Sequence, residues 1–309
     1  RHRRHIGAAR GAGAHHHRDL RDALRRHVRL VEEDPAEMPL VGKHLVLLRQ
    51  EGAAGIDQID ARQAVLPRDV LRCLYVLGPR RNRGMRALAR AVMDEGAAGV
   101  MIAPPSSLRT DDQIVTYYAQ SVEAIGTDIP FVIQDYPLTL SVIMTPNVIR
   151  RIVMDNPSCV MLKHEDWPGL EKISALRKFQ SEGTLRPLSI LTGNGGLFLD
   201  FEMERGADGA MTGYAFPELL VDVVAWQKAG RRDEAHDLFD AHLPLMRYEQ
   251  QQGVGLAVRK YTLMRRGILA SDAQRKPGSG LSEKAKAEVE YLLARLAKHD
   301  PRAAKLTTR

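Results

Sequence analysis

The sequence predicts an α/β fold, a (β/α)8 barrel with a C-terminal helical extension. Three observations carry this. From residue 72 onward short apolar runs alternate with helix-patterned stretches, about one repeat every 22–30 residues, the rhythm of strand–helix units. The runs are continuously apolar instead of alternating, which means burial on both faces and therefore parallel pairing. Six such units precede residue 230 and there is room for two more ahead of residue 72, which suits an eightfold barrel. A doubly wound sheet is the competitor. It would call for G-x-G-x-x-G after an early strand, and no such motif is present.

The elements follow in order. Cys73-Leu74-Tyr75-Val76-Leu77 is an apolar run ended by Gly78-Pro79. Met85 to Glu95 has helical spacing, with Leu88, Val92 and Met93 on one side, closed by Gly96-Ala97-Ala98-Gly99. Val100-Met101-Ile102-Ala103 is a strand stopped by Pro104-Pro105. Thr110 and Asp111 start a helix that runs to Gly126. Pro130 to Tyr136 is the next strand. Thr145-Pro146 is an N-cap followed by proline at the first helical position, and that helix ends near Asn156-Pro157. Cys159-Val160-Met161-Leu162-Lys163 is a strand finishing on a lysine, followed by a helix over about 169–181. Leu188 to Thr192 is a strand stopped by Gly193-Asn194-Gly195-Gly196, with a helix at about 198–205. Asp208 to Thr212 is the last strand. After residue 230 the pattern is purely helical, with helices expected at Asp233–Glu249, Gly253–Arg266 and Ser282–Lys298. The chain thus divides into a basic, atypical segment at 1–71, barrel units at 72–230 and a helical region at 231–309.

Composition narrows the function classes. The hydrophobic and charged fractions, 44% and 27%, describe a folded globular chain, and no apolar stretch reaches the length of a membrane span. No leader pattern opens the chain, so a cytoplasmic location is expected. Cys73 and Cys159 are too few for a disulfide framework and lack metal-ligand spacing. The net charge of +7 is concentrated: residues 1–86 hold 18 Lys+Arg against 10 Asp+Glu. A nucleic-acid arm is one reading of that excess. Tyr75 is the only aromatic residue there, so the stacking partners such an arm needs are missing, and no nucleic-acid partner is expected. Arg, Ala, Gly and His dominate residues 1–30, and the chain opens on Arg1. That is the composition of a GC-rich gene read out of frame, and part of 1–83 is expected to be such a translation. His15-His16-His17 has no further ligand at useful spacing and reads as a solvated run.

In a barrel the chemistry sits at the carboxyl ends of the strands. Lys163 follows four uncharged residues there, and such a lysine is either a nucleophile or a rim residue reaching water. An apolar surround favours the neutral amine, which can attack a carbonyl and form a Schiff base. Gly193-Asn194-Gly195-Gly196 is a glycine-rich turn before a helix, suited to a carboxylate or phosphate or serving as a plain tight turn. Gln134 and Tyr136 share a strand face, and the phenol can relay protons. Glu165 and Asp166 could orient groups near the lysine, but carboxylates following a strand are commonly surface groups, and they are left out of the catalytic set.

These residues, with Gly99 to Pro105, Phe131 to Pro137, Thr145-Pro146, Val160 to Glu165 and Gly206 to Thr212, resemble the dihydrodipicolinate synthase and N-acetylneuraminate lyase superfamily over residues 72–309. The resemblance implies a (β/α)8 barrel and a homo-oligomer, tetramer or dimer. It implies a lyase like 4-hydroxy-tetrahydrodipicolinate synthase, holding pyruvate or a related 2-oxo acid as a Schiff base on Lys163. Gly193, Asn194, Met211 and Thr212, and also Gln134, would help hold the substrate, and Tyr136 would be the second catalytic residue. No metal or cofactor is implied. The second substrate is left open, an aldehyde being one candidate. Three places depart from the family pattern. Its Tyr-Asn-x-Pro is matched without a gap by Gln134-Asp135-Tyr136-Pro137, which leaves the relay to Gln134 or Tyr136. Its Thr-Thr-Gly-Glu segment has no counterpart in residues 1–86, and the tyrosines usual after the fourth strand are replaced by Pro104-Pro105-Ser106-Ser107. The competing reading is a barrel that binds a phosphate ligand on the Gly193–Gly196 turn without a Schiff base. A third is an inactive barrel with a basic arm.

Overall fold

The structure, a computed structural model, describes the backbone of residues 74–77 and of 82–306 apart from 168, with side chains from residue 84. The basic segment, His15 to His17, and the reading-frame expectation for 1–83 lie outside the described residues, except for the short stretches just given.

Among the described residues six strands form one sheet in chain order, every pair parallel. They are β1 (Leu74–Leu77), β2 (Gly99–Ile102), β3 (Phe131–Asp135), β4 (Cys159–His164), β5 (Ser189–Thr192) and β6 (Gly209–Ala210). The helices between them are α1 (Asn82–Asp94), α2 (Asp111–Ile125), α3 (Pro137–Leu140), α4 (Pro146–Asp155), α5 (Leu170–Ser181) and α6 (Leu199–Glu204). Then come α7 (Pro217–Lys228), α8 (Arg232–Glu249), α9 (Gly255–Arg265), α10 (Glu283–Leu296) and α11 (Pro301–Ala304). Neighbouring strands that are also sequential, each returned by a helix, make an arc of a barrel.

Helix starts follow their local chemistry. Thr110 accepts from the Gln113 N–H while the Gln113 side chain reaches back to the Thr110 N–H, a complete capping box. Thr145 and Ser282 cap α4 and α10 in the same way, each accepting from the N–H three residues on. The last strand, like the others, is followed by a helix, α7. The sequence did not anticipate the single turns α3 and α11. The strand expected over 208–212 is shorter, because only Gly209 and Ala210 pair with β5.

Apolar side chains separate onto two faces. Ile102, Phe131, Ile133, Leu162 and Ile190 pack outward against Ile149, Ile152, Ile173 and Leu176 of α4 and α5, in one core that also takes in Phe239, Met246, Val258 and Leu293 of the C-terminal helices. Met101, Val132, Leu191 and Met211 cluster on the other face, with Met161 beside them. This second face is the interior of the barrel arc. Along β4 a one-residue irregularity decides which side each residue takes. Phe131 pairs with Cys159 but Val132 pairs with Met161, so Val160 bulges out and is 44% exposed. Cys159 packs outward, and after the bulge Met161 and Lys163 point inward while Leu162 and His164 point outward. If Val160 paired regularly, strict alternation from Cys159 would turn Lys163 toward the helices.

No helix among the described residues is long and apolar enough to cross a membrane.

Candidate active site

Lys163 stands beside Gln134 in the β3–β4 register. Its side chain is 12% exposed, and Nζ lies 3.0 Å from Glu165 Oε2. The apolar surround expected from the sequence is therefore replaced by a close carboxylate. Glu165, expected at the surface, is buried, and its neighbours hold it. Gln134 Nε2 donates to Oε2, the Asn194 N–H donates to Oε1 at 3.3 Å, and Asn194 Nδ2 donates to the Glu165 carbonyl at 2.8 Å. The Glu165 N–H continues the β4 ladder one residue by donating to the Asp135 carbonyl at 2.8 Å. A strand signal for Glu165 was present: two residues after Lys163 on an extended chain places it on the same face.

The glycine-rich turn serves this carboxylate. A Cβ at Gly193 would sit 2.2 Å from Glu165 Cγ and 2.3 Å from Oε1, so only glycine lets the acid come this close. Asn194 takes a left-handed conformation, φ 49°, tolerable for asparagine, and this aims its amide at Glu165. The four N–H groups of the turn are all engaged: Gly193 with the His164 carbonyl, Asn194 with Glu165, Gly195 with Thr212 Oγ1 at 2.8 Å, and Gly196 with the Gly193 carbonyl. The anion cradle anticipated there is thus turned inward onto protein acceptors. Met211 packs in the barrel interior, its N–H donating to the Thr192 carbonyl at 2.7 Å.

Gln134 and Tyr136 differ sharply. Gln134 is buried in contact with Glu165. Tyr136 stands where the strand has ended, caps α3 with φ −136° and ψ 70°, and is half-buried; among the described residues its hydroxyl has no hydrogen-bond partner. The structure brings Lys163, Gln134, Glu165, Gly193 and Asn194 together and does not join the Tyr136 hydroxyl to them.

Behind the strands lies a second polar layer that the sequence did not reveal. Asp135 Oδ2 accepts from Lys172 Nζ at 2.9 Å and lies 3.4 Å from His164 Nδ1. Lys172 also pairs with Asp166 at 2.6 Å, and His164 Nε2 faces the Gly169 carbonyl at 3.1 Å. Asp135 and His164 thus brace the ends of β3 and β4 from outside, while Gln134 and Lys163, one residue before each, face the interior. Nearby, burial pushes the Glu202 carboxyl up to about 7, offset in part by a hydrogen bond with the Thr192 side chain. Burial likewise pushes the Cys159 thiol up to about 12, leaving it an inert core group.

Among the described residues no cluster of His, Cys, Asp and Glu has the form of a metal site. A lysine and a carboxylate at 3.0 Å, set at the carboxyl ends of parallel strands, can add an amine to a carbonyl and shuttle the proton. Residues 84–296 match the dihydrodipicolinate synthetase family.

The chain belongs to that family.

Its fold is accordingly the (β/α)8 barrel, of which the described residues supply six strands. The crystal structure of dihydrodipicolinate synthase from Rhodopseudomonas palustris is 71% identical, covers 71% of this chain and 73% of that one, and superposes with a TM-score of 0.69. YagE from E. coli K12, a dihydrodipicolinic acid synthase family protein solved in complex with pyruvate, is 19% identical, with coverage of 72% and 74% and a TM-score of 0.62; it supports the fold alone. The L-2-keto-3-deoxyarabonate dehydratase of Azospirillum brasilense is 29% identical over 205 residues, 65% of this chain. The chain spans 64% of the length of that relative.

Proposed function

We propose that this chain is a Schiff-base lyase acting on pyruvate or a related 2-oxo acid, with Lys163 as the nucleophile and Glu165 as the proton carrier. The observation that carries the reading is the buried contact of 3.0 Å between Lys163 Nζ and the Glu165 carboxylate at the mouth of the barrel. The neutral amine adds to the C2 carbonyl of the oxo acid. Glu165 takes the protons that Nζ sheds on going from ammonium to iminium and passes them to the carbonyl oxygen, which leaves as water, and an iminium remains. The iminium draws electrons from the bonds at C3. Loss of a C3 proton gives an enamine, and water finally hydrolyses the imine and frees the amine.

The enamine has two outlets. It expels a hydroxyl from C4 as water, protonated by an acid beside it, or it adds to an aldehyde. We favour dehydration of a 3-deoxy-2-oxo sugar acid. Gln134 stands where a relay tyrosine would, and it steadies Glu165, an acid placed to protonate a leaving hydroxyl. The dehydratase from Azospirillum is a relative of that chemistry. Condensation of pyruvate with an aldehyde is the second reading, supported by the name borne by the 71% identical protein from Rhodopseudomonas. Gln134 is read as fixing Glu165, Met211 and Thr212 as lining the substrate, and Tyr136 as a substrate contact at the mouth, with the relay assigned to Glu165. The working form is read as a cytoplasmic homo-oligomer, tetramer or dimer, needing no cofactor. The phosphate-ligand reading loses its main support, because the N–H groups of the Gly193–Gly196 turn are already satisfied.

Incubation with pyruvate and borohydride tests the first half of the reading, since only an iminium is reduced to a stable adduct. A turnover assay with 3-deoxy-2-oxo pentonates and hexonates, against pyruvate plus aldehydes, tests the second. Adduct formation without release of water from any such sugar acid would turn the reading to condensation.

A further inference from the structure

The Met211–Gly213 segment leaves a strand of only two residues, so the sheet ladder does little to fix it. What fixes it comes from the accessory helices. Arg259, inside α9, donates from Nη2 to the Gly213 carbonyl at 2.7 Å. Glu249, the last residue of α8, accepts the Ala215 N–H at 3.1 Å and receives Arg259 Nε on its other oxygen. The two bonds grip the chain on either side of Tyr214, whose hydroxyl lies 3.0 Å from His242 Nδ1. The fit is close: a Cβ at Gly213 would lie 2.3 Å from Arg259 Nη1. The Glu249 side chain is fully buried. An ion pair is an expensive way merely to join helices to a barrel, since apolar residues of the same size serve stability as well or better. Here Arg259 Nη2 and the second Glu249 oxygen go to the backbone of one loop.

We propose that Glu249 and Arg259 are positioning residues for the substrate: they hold the Met211–Gly213 backbone, and through Thr212 the Gly195 N–H, in the register that the 2-oxo acid requires. The C-terminal helices then belong to the active site without supplying a group that touches the reacting atoms. This rests on the Schiff-base reading above, in which Met211 and Thr212 line the substrate.

The test is borohydride trapping with pyruvate, varied in concentration, on the full chain and on Arg259→Met, Arg259→Lys and Glu249→Gln. The expected result for Arg259→Met is a half-saturating pyruvate concentration raised about tenfold or more, with the limiting trapping rate within about threefold of the parent. Loss of one hydrogen-bonded charged partner has that size. Arg259→Lys, which keeps the charge, should recover part of the affinity, and Glu249→Gln should fall between. Half-saturation unchanged in all folded variants overturns the proposal, as does an equal fall of affinity and limiting rate, which a merely structural role would give. If Arg259→Met fails to fold, the two milder variants decide alone. Absence of an adduct in the parent chain overturns the Schiff-base reading itself, whereas a parent adduct with indifferent variants overturns only the positioning role.

Discussion

Replacing Glu165 by glutamine removes a charge and almost no volume, and it separates proton transfer from binding. In the structure the carboxylate is 3.0 Å from Lys163 Nζ, within direct transfer distance and with no room for an intervening water. Glutamine keeps the acceptor for the Asn194 N–H or for Gln134, but not both, because one of its two terminal atoms is now an NH2 group. A positioned acid–base group contributes about 100- to 10,000-fold. That is about 3–5 kcal/mol of barrier, each factor of ten being worth about 1.36 kcal/mol. Turnover of a 3-deoxy-2-oxo sugar acid by Glu165→Gln should therefore fall by at least about 100-fold, while the pyruvate adduct still forms, more slowly, with borohydride present. Mass spectrometry of the adduct against time, beside a coupled assay of product, reads both. Turnover within about threefold of the parent would refute Glu165 as the proton carrier, since it is the carboxylate in contact with Nζ.

Other expectations follow from the same geometry. Gly193→Ala places a methyl 2.2–2.4 Å from the Glu165 side chain, so it should displace that acid and cut turnover about tenfold or more, with the fold intact by circular dichroism. The buried Glu202 carboxyl, raised from 4.5 to about 7, holds its proton in the folded state where the unfolded chain has lost it. Its contribution to stability is thus fully present below pH 4.5 and is lost as pH rises toward about 7. A rise from 4.5 to about 7 corresponds to a loss of about 3 kcal/mol, a tenfold change in proton affinity being worth about 1.36 kcal/mol. Glu202→Gln should flatten that slope, and thermal melts on either side of this range check it; equal slopes in both proteins would deny the buried acid. Sequencing the gene and translating every frame should restore a patterned strand–helix stretch, including a Thr-Thr-Gly-Glu segment, in place of much of residues 1–83; no such frame would end that idea.

Much of this was legible in the sequence, and the omissions share a cause. Continuous apolar runs such as Phe131–Ile133 announced parallel strands, and Thr110, Thr145 and Ser282 announced their helices through hydrogen bonds made within four residues. Lys163 could be singled out because a lysine ending an apolar strand is anomalous by itself. Glu165 shares that face by its two-residue spacing, but a carboxylate after a strand is ordinary until Gln134, Gly193 and Asn194 close around it. Those contacts span about 30 residues of sequence separation, and local pattern carries no trace of them. The bulge at Val160 is similar: it reverses which side of the sheet Lys163 faces, yet Cys159-Val160-Met161 reads as an unbroken strand. The glycine-rich turn leaves an anion site and a plain tight turn open in the sequence. Gly193 looks like an anion-binding turn by composition, whereas its purpose in the fold is the close approach of a side chain. The Glu249–Arg259 pair lay in a region read only as accessory helices, since nothing in a helical pattern tells that its last residue reaches a loop of the barrel.

The central claim is that Lys163 forms a Schiff base. Intact mass after incubation with pyruvate and borohydride, for the parent chain and for Lys163→Ala, tests it most directly. One adduct of reduced pyruvate is expected on the parent, mapped to Lys163 by peptide digestion, and none on the variant. A folded parent without an adduct, or an adduct that persists in Lys163→Ala, would contradict the claim.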